Sequence, residues 1–364
     1  MNSVEEYLDA IHREAEEKLI PLSATIELTY HCNLKCIHCY RVEDMTREEL
    51  TTDEVKKLLD QLRDEGTLFL TFTGGEIFTR EDIFEILFHA KENQFAMYLF
   101  TNGTLLTPEK AEKIAEVSPL RVEFSLYGAN PETYEDITQI PGSFKNIIKG
   151  IQLLKKNGVK VYLKTPLMKV NFPGYKDLIK MVKDMGMEMA FDPQITPKND
   201  GSIEPLNLRL NEETLLSYFE DDYPEKWKYK EYPSQEESLN RELCAACKKT
   251  CAISPYGDVY PCFQLILPIG NIRENSFSNI WHSNSELLNR IRSLNIYSDI
   301  PECRTCEEIP YCRRCHGLAY VGSKDWTRCD QLSRRMANII RIVNTRAKHP
   351  HLTPLPLRER LGEG

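Results

Sequence analysis

An α/β fold followed by a cysteine-rich second module is predicted by three features of this 364-residue chain. Apolar, β-branched runs alternate with amphipathic stretches from residue 24 to about residue 200, the pattern of βα units around a parallel sheet. The twelve cysteines are unevenly placed: three lie before residue 40, none follows until 243, and nine fall between Cys244 and Cys329. Polar, glycine-containing motifs end the apolar runs, and ligands bind at that edge in βα barrels and open α/β sheets alike.

The pattern places strands at 24–31, 67–73, 96–101, 121–127, 159–167 and 188–195, and helices at 53–64, 81–92, 108–117, 144–156 and 174–185. Residues 1–23 read as an acidic, amphipathic helical extension. Residues 24–200 hold the βα units, and 201–243 form a connector with a helix near 211–220. Residues 244–345 carry the later cysteines, and a Pro-rich tail over 346–364 is extended or docked. No 20–50-residue repeat exists beyond the βα alternation.

A net charge of −9 argues against a general nucleic-acid binder, because phosphate contact needs basic patches. No segment approaches the roughly 18 uninterrupted apolar residues of a membrane span. The first residues lack the basic-then-apolar pattern of a secretory signal. A cytoplasmic location follows, and in a reducing compartment dense C-x2-C spacing points to metal and not to disulfides.

Cys32, Cys36 and Cys39 follow the first strand in the C-x3-C-x2-C loop His31-Cys32-Asn33-Leu34-Lys35-Cys36-Ile37-His38-Cys39-Tyr40. Cysteine thiolates are the usual ligands of a [4Fe–4S] cluster, so three of them leave a fourth iron open to a substrate or cofactor. A zinc site and reduced structural thiols are the alternatives. The second strand runs into Thr73-Gly74-Gly75-Glu76, where glycines allow close backbone approach and a carboxylate can bind an ammonium. Thr101-Asn102-Gly103 ends the third strand and Ser125-Leu126-Tyr127-Gly128 the fourth, either of which could be turn chemistry alone. Lys164 lies within the fifth strand, facing either solvent or the interior. His31 and His38 flank the cysteines as shielding, outer contacts, not as ligands.

This spacing resembles the cluster loop of the radical S-adenosylmethionine (SAM) enzymes, and Gly74-Gly75-Glu76 resembles that family's GGE motif, though Ile77 stands where Pro is frequent. The resemblance implies a partial (β/α)6 TIM-type barrel in which the open iron chelates SAM and a 5′-deoxyadenosyl radical abstracts hydrogen. It further implies SAM contacts from Gly74, Gly75, Glu76, Asn102 and Ser125, and pairing of Lys164 with the SAM carboxylate. No side chain is identified as a catalytic acid or base.

Among the later cysteines, Cys244 precedes Gly257 and Cys262 in a C-x12-G-x4-C spacing that also encloses Cys247 and Cys251. The run Cys303-x2-Cys306-x5-Cys312-x2-Cys315 follows, and then Cys329. Two zinc ribbons could use such pairs. The pattern resembles the SPASM extension of radical SAM peptide-modifying enzymes, although the family's run ends C-x3-C. By position, the resemblance assigns Cys244, Cys251, Cys262 and Cys315 to one auxiliary iron–sulfur cluster, and Cys303, Cys306, Cys312 and Cys329 to a second, both expected as [4Fe–4S]. Cys247 is left over, either unligated or displacing Cys244 or Cys251. Fully ligated clusters suit electron transfer, with a structural role as the alternative. Tyr256 and Asp258 read as fold determinants.

The resemblance extends over nearly the whole chain, including Pro141-Gly142-Ser143-Phe144 and the segment Asp192–Ser202. It points to the branch that modifies ribosomally made precursor peptides by crosslinking, epimerisation or cleavage. About 23 residues precede the first strand, too few for the winged-helix domain that many such enzymes carry, so a separate leader-recognition protein is expected. A reductant such as flavodoxin or ferredoxin is expected too, with no nucleic-acid or membrane partner. A sulfatase-maturing or tetrapyrrole-modifying enzyme is the alternative within the family. A non-catalytic zinc or iron–sulfur scaffold or redox sensor is the alternative of another class.

Overall fold

The structure is a computed structural model that describes residues 4–221, 229–241 and 244–348. After helix α1 (Val4–Glu17), six strands alternate with helices. The strands are β1 (Ser23–Thr29), β2 (Phe69–Gly74), β3 (Ala96–Thr101), β4 (Arg121–Ser125), β5 (Val161–Pro166) and β6 (Glu188–Asp192). The intervening helices are α2 (Thr52–Asp64), α3 (Ile83–Glu92), α4 (Pro108–Val117), α5 (Pro131–Thr138), α6 (Ser143–Lys156) and α7 (Tyr175–Asp184). β7 (Thr250–Ile253), β8 (Asp258–Tyr260) and β9 (Gly270–Asn271) complete a single sheet ordered β6-β5-β4-β3-β2-β1-β7-β8-β9. β1 to β6 pair in parallel, and β6 and β9 are free edges, so the sheet is the open form expected of a partial barrel.

Residue chemistry explains the units. Val55, Leu58, Leu59 and Leu62 lie one helical turn apart on α2 and are all buried against the sheet. Thr51 and Glu54 form a capping box at its start, satisfying end N–H groups that would otherwise lack partners. Along β3 and β4, Met97, Leu99, Val122 and Phe124 face the helix layer. Tyr98, Phe100, Arg121 and Glu123 alternate onto the opposite face. That second face is polar and aromatic, an unusual lining unless it serves a ligand.

The expected strands and helices recur within a few residues of their positions. Two parts were not foreseen. Helix α5 follows β4 directly, capped by Asn130 with Pro131 at its first turn. β7 runs beside β1, with Ser23 opposite Thr250 and Ile26 opposite Ile253, so residues 250–271 add three strands to the sheet. Contacts accordingly divide the chain into two compact units. One comprises residues 1–209, 244–294 and 316–326, and the other residues 210–243, 295–315 and 327–364. In the second unit the helix Gln331–Lys348 packs on the helix Glu212–Asp221, tied by an Arg346–Glu220 ion pair. Leu239, Ile296, Ile300, Cys303 and Ile309 form its apolar centre. The Pro-rich tail lies almost wholly outside the described residues. No helix among the described residues is long and apolar enough to cross a membrane.

The segment after Cys39 is anchored to the β7–β8 hairpin. Arg47 makes a two-pronged contact with Asp258, at 2.6 and 2.9 Å, and Asp258 also accepts from Asn271 and Ser254. The Tyr256 hydroxyl accepts from the Asp44 N–H at 2.9 Å. These contacts fit the fold-determining roles expected of Tyr256 and Asp258. Replacing Asp258 with Ala removes the carboxylate acceptor of Arg47 and leaves Asn271 only the Tyr256 carbonyl. A loss of about 2 kcal/mol in chemical denaturation is expected, discounted for the exposure of Arg47; an unchanged midpoint would contradict the anchoring role.

Candidate metal and cofactor site

The end of β2 is locked to the exit of β1. The Gly75 N–H donates to the Thr29 carbonyl at 2.6 Å and the Glu76 N–H to the His31 carbonyl at 2.8 Å. A Cβ on Gly74, whose φ is +136°, would collide with the Thr29 carbonyl oxygen, and one on Gly75 with that of His31. The two glycines are therefore required by the close approach of two backbones at the root of the cysteine loop.

Glu76 is completely buried. One carboxylate oxygen accepts from the Thr101 hydroxyl (2.7 Å) and the Phe78 N–H (3.1 Å), and the other from the Asn102 N–H (2.6 Å). Burial pushes its acid upward, and these donors act against the rise. Three of roughly four acceptor positions are thus used within the protein, and the carboxylate has no exposed surface. From Asn102 the network reaches the loop: its side-chain amide donates to the Asn33 oxygen at 2.9 Å and lies 3.8 Å from the Cys32 sulfur, while Asn33 donates to Thr104 at 2.8 Å.

Helix α5 braces the loop from the other side. Its last carbonyls, those of Ile137 and Thr138, accept from the Ile37 and Lys35 N–H groups, both at 3.0 Å. Each sulfur has a polar neighbour. The Leu34 N–H donates to Cys32 at 3.4 Å, an Arg41 guanidinium nitrogen lies 3.9 Å from Cys39, and the Tyr127 hydroxyl lies 3.9 Å from Cys36. Such donors stabilise thiolates bound to iron and tune cluster potentials. Burial pushes the Cys36 thiol up to about 12, so without metal it keeps its proton. Cys32 is exposed although burial also raises its thiol, the mark of a residue lining a concavity. Three thiols with an open side fit a cluster that presents one iron outward.

Arg41, Asn33 and Tyr127 were not singled out from the sequence, although each lies within or beside a quoted motif. Glu27, on the inner face of β1, was not foreseen at all. It is buried and accepts from the Tyr30 hydroxyl at 2.9 Å. Burial holds its acid up at about 7, with Tyr30 and Arg41 acting against the rise. His38 is a half-buried ring edge-on to Tyr127, and desolvation lowers its basicity to about 4. His31 is exposed and pairs with Glu43 at 3.0 Å.

Ser125 and Lys164 lie opposite each other on β4 and β5. Lys164 is ion-paired with the buried Glu123 and stands 4.2 Å from the centre of the Phe100 ring. It faces the interior, as one of the two sequence readings required, but its charge already has a partner. In the second unit, Cys303, Cys306, Cys312 and Cys329 line one cavity of about 290 Å3 together with Arg314 and Arg334. Four sulfurs around one cavity suit a multi-iron cluster. Among the described residues no three His, Cys, Asp or Glu side chains are grouped as a single metal ion requires. Cys244, Cys247, Cys251 and Cys262 lie in the first unit, and Cys315 in the second.

Glu76→Gln puts an amide N–H against the donors of Thr101 or Asn102. A stability loss of about 1–3 kcal/mol and disturbed cluster assembly are expected; unchanged melting and iron content would contradict the role. Glu27 carries a pH signature. Because its acid rises from 4.5 to about 7 on folding, the native state binds the proton more tightly than the unfolded chain. Its contribution is present in full below about pH 4.5 and is lost as pH rises to about 7, a change of roughly 3 kcal/mol. Denaturation across that range should show wild type losing stability relative to Glu27→Gln, and a pH-independent difference would contradict it.

Comparison with known proteins bears on what this arrangement does. Residues 26–185 match the model of the radical SAM superfamily, and residues 244–316 match that of SPASM, an iron–sulfur cluster-binding domain. The chain is 29% identical over 325 residues to an AdoMet-dependent heme synthase of Methanosarcina barkeri, covering 82% of this chain and 92% of that protein. It is 30% identical over 275 residues to the antilisterial bacteriocin subtilosin biosynthesis protein AlbA of Bacillus subtilis, covering 72% of this chain and 60% of that one. The structure of Streptococcus suis SuiB bound to precursor peptide SuiA aligns with a TM-score of 0.65 at 17% identity, over 91% of this chain and 81% of that chain. At that identity the likeness concerns the fold.

Proposed function

Since the chain belongs to the radical SAM superfamily and carries a SPASM iron–sulfur domain, we propose that it is a cytoplasmic maturase that abstracts hydrogen from a residue of a ribosomally made precursor peptide, for crosslinking, epimerisation or cleavage. Bound SAM and its cluster supply a 5′-deoxyadenosyl radical able to take hydrogen from an unreactive carbon. The protein's part is to hold, orient and exclude water. Cys32, Cys36 and Cys39 hold the SAM-binding cluster, and Asn102 and Arg41 steady the sulfurs of Cys32 and Cys39. The Gly74-Gly75-Glu76 turn, Asn102 and Ser125 contact SAM. Lys164 reaches the SAM carboxylate only by sharing its charge with Glu123. Cys303, Cys306, Cys312 and Cys329 hold one auxiliary cluster, and Cys244 and Cys262 belong to the other.

The observation that carries the radical reading is the hydrogen-bonded join between the cysteine loop and the Gly-Gly-Glu turn, within a region matching the superfamily. Likeness to AlbA over 72% of the chain favours a peptide substrate. A separate leader-recognition protein and a flavodoxin- or ferredoxin-type reductant complete the system. A second reading, modification of a tetrapyrrole, is favoured by the likeness to a heme synthase over 92% of that protein's length.

Anaerobic reconstitution should give roughly 12 irons per chain and 5′-deoxyadenosine from SAM under strong reductant. Zinc in place of iron, with no SAM cleavage, would falsify the enzyme reading. Mass spectrometry then separates the substrates. Modification of a co-expressed precursor peptide supports the maturase, whereas turnover of an iron tetrapyrrole with the peptide untouched supports the second reading.

A further inference from the structure

Exposed apolar side chains are ordinary when scattered singly, whereas several gathered in one place mark a binding surface. Among the described residues of the first unit, the large ones divide by edge of the sheet. Leu68 and Leu120 stand just before β2 and β4. Ile37 lies within the cysteine loop, and Val42, Met45, Val170 and Ile203 follow β1, β5 and β6, all at the edge that carries the loop. Met45 is 79% exposed and Ile203 68%.

Backbone hydrogen bonds stitch these segments into one strip. The Asn199 N–H donates to the Tyr40 carbonyl at 2.8 Å, and the Lys169 N–H to the Leu208 carbonyl at 2.9 Å. Residues 193–209 thus run from the end of β6 to meet both the segment after Cys39 and the loop after β5. A turn closed by the Lys198 N–H on the Ser202 carbonyl, at 2.9 Å, returns Ile203 to the first of these ties. The strip begins just beyond Cys39, so it is continuous with the open side of the cysteine loop.

Charge narrows what can lie there. Asp44, Glu48 and Asp200 are exposed among the apolar side chains, and none forms an ion pair among the described residues. Arg47 and Lys198 are paired with Asp258 and Glu204, and Lys169 is the strip's exposed cation. Unpaired carboxylates beside apolar side chains repel a phosphate-bearing surface and attract a partner that is both apolar and basic.

We propose that this strip docks the substrate peptide through a segment carrying apolar and basic side chains. The proposal rests on the peptide reading given above. The segment's apolar side chains cover Met45, Val42 and Ile203, its cations approach Asp44, Glu48 and Asp200, and the chain continues past Tyr40 to the cysteine loop.

The test follows the fluorescence anisotropy of a short labelled peptide of Leu, Lys and Ser added to the reconstituted full chain with SAM. Wild type is compared with Met45→Ser plus Ile203→Ser, and with Leu68→Ser plus Leu120→Ser at the opposite edge. All four side chains are exposed, so both variants keep the fold. The first variant should bind about tenfold more weakly than wild type, and the second should match wild type. Wild type should lose affinity when the peptide's Leu become Ser or its Lys become Glu. Equal binding by the two variants, or indifference to Leu and Lys, overturns the proposal. So does binding to anionic vesicles, or self-association in sedimentation, that Met45→Ser plus Ile203→Ser abolishes. Turnover of an iron tetrapyrrole with a co-expressed precursor peptide untouched would instead refute the peptide reading itself.

Discussion

The buried carboxylate of Glu76 is the joint on which the cofactor site depends. Without its three donors, Thr101, Asn102 and Phe78, a completely buried acid would be costly to ionise. With them, it fixes the ends of β2 and β3 against each other. The adjoining backbone bonds from Gly75 and Glu76 to Thr29 and His31 bring in β1. Three consecutive strand ends become one rigid edge, and the cysteine loop departs from it. Asn102 extends the same network to Asn33 and the Cys32 sulfur, so the loop is positioned by neighbours that do not themselves ligate iron.

The rest of the first unit supports that edge. The C-terminal carbonyls of α5 hold the loop at Lys35 and Ile37, and Arg47 and Asp44 fasten the following segment to the hairpin carrying Tyr256 and Asp258. Since the demanding chemistry belongs to bound cofactors, the protein's contribution is placement and electrostatics. Around the sulfurs that means Arg41, Tyr127, Asn102 and the Leu34 N–H, each a polar neighbour or donor able to shift a cluster's potential.

Most of the fold was legible because β-branched runs and amphipathic periodicity are local properties. Every expected strand and helix of the βα region has its counterpart within a few residues. Helix α5 escaped because Pro131–Thr138 is short and weakly patterned, although Asn130-Pro131 is a recognisable start signal. The pairing of β7 with β1 escaped because it joins residues more than 200 positions apart, and no local pattern encodes that. The cysteine loop and the Gly-Gly-Glu turn were legible as motifs, but the backbone collision that makes both glycines necessary was not. Glu27 was missed because a charged residue on the inner face of a sheet has no periodic signature that separates it from a solvated one, and Arg41 because nothing local distinguishes one loop arginine from another.

The central claim, that three strand ends and the cysteine loop form one SAM and cluster site, is tested most directly by titrating SAM into the reduced protein under electron paramagnetic resonance. The account predicts that SAM changes the spectrum of one cluster, and that Cys32→Ala removes the responding signal while leaving the others. A reduced spectrum indifferent to SAM, or a response that survives loss of Cys32, would contradict it.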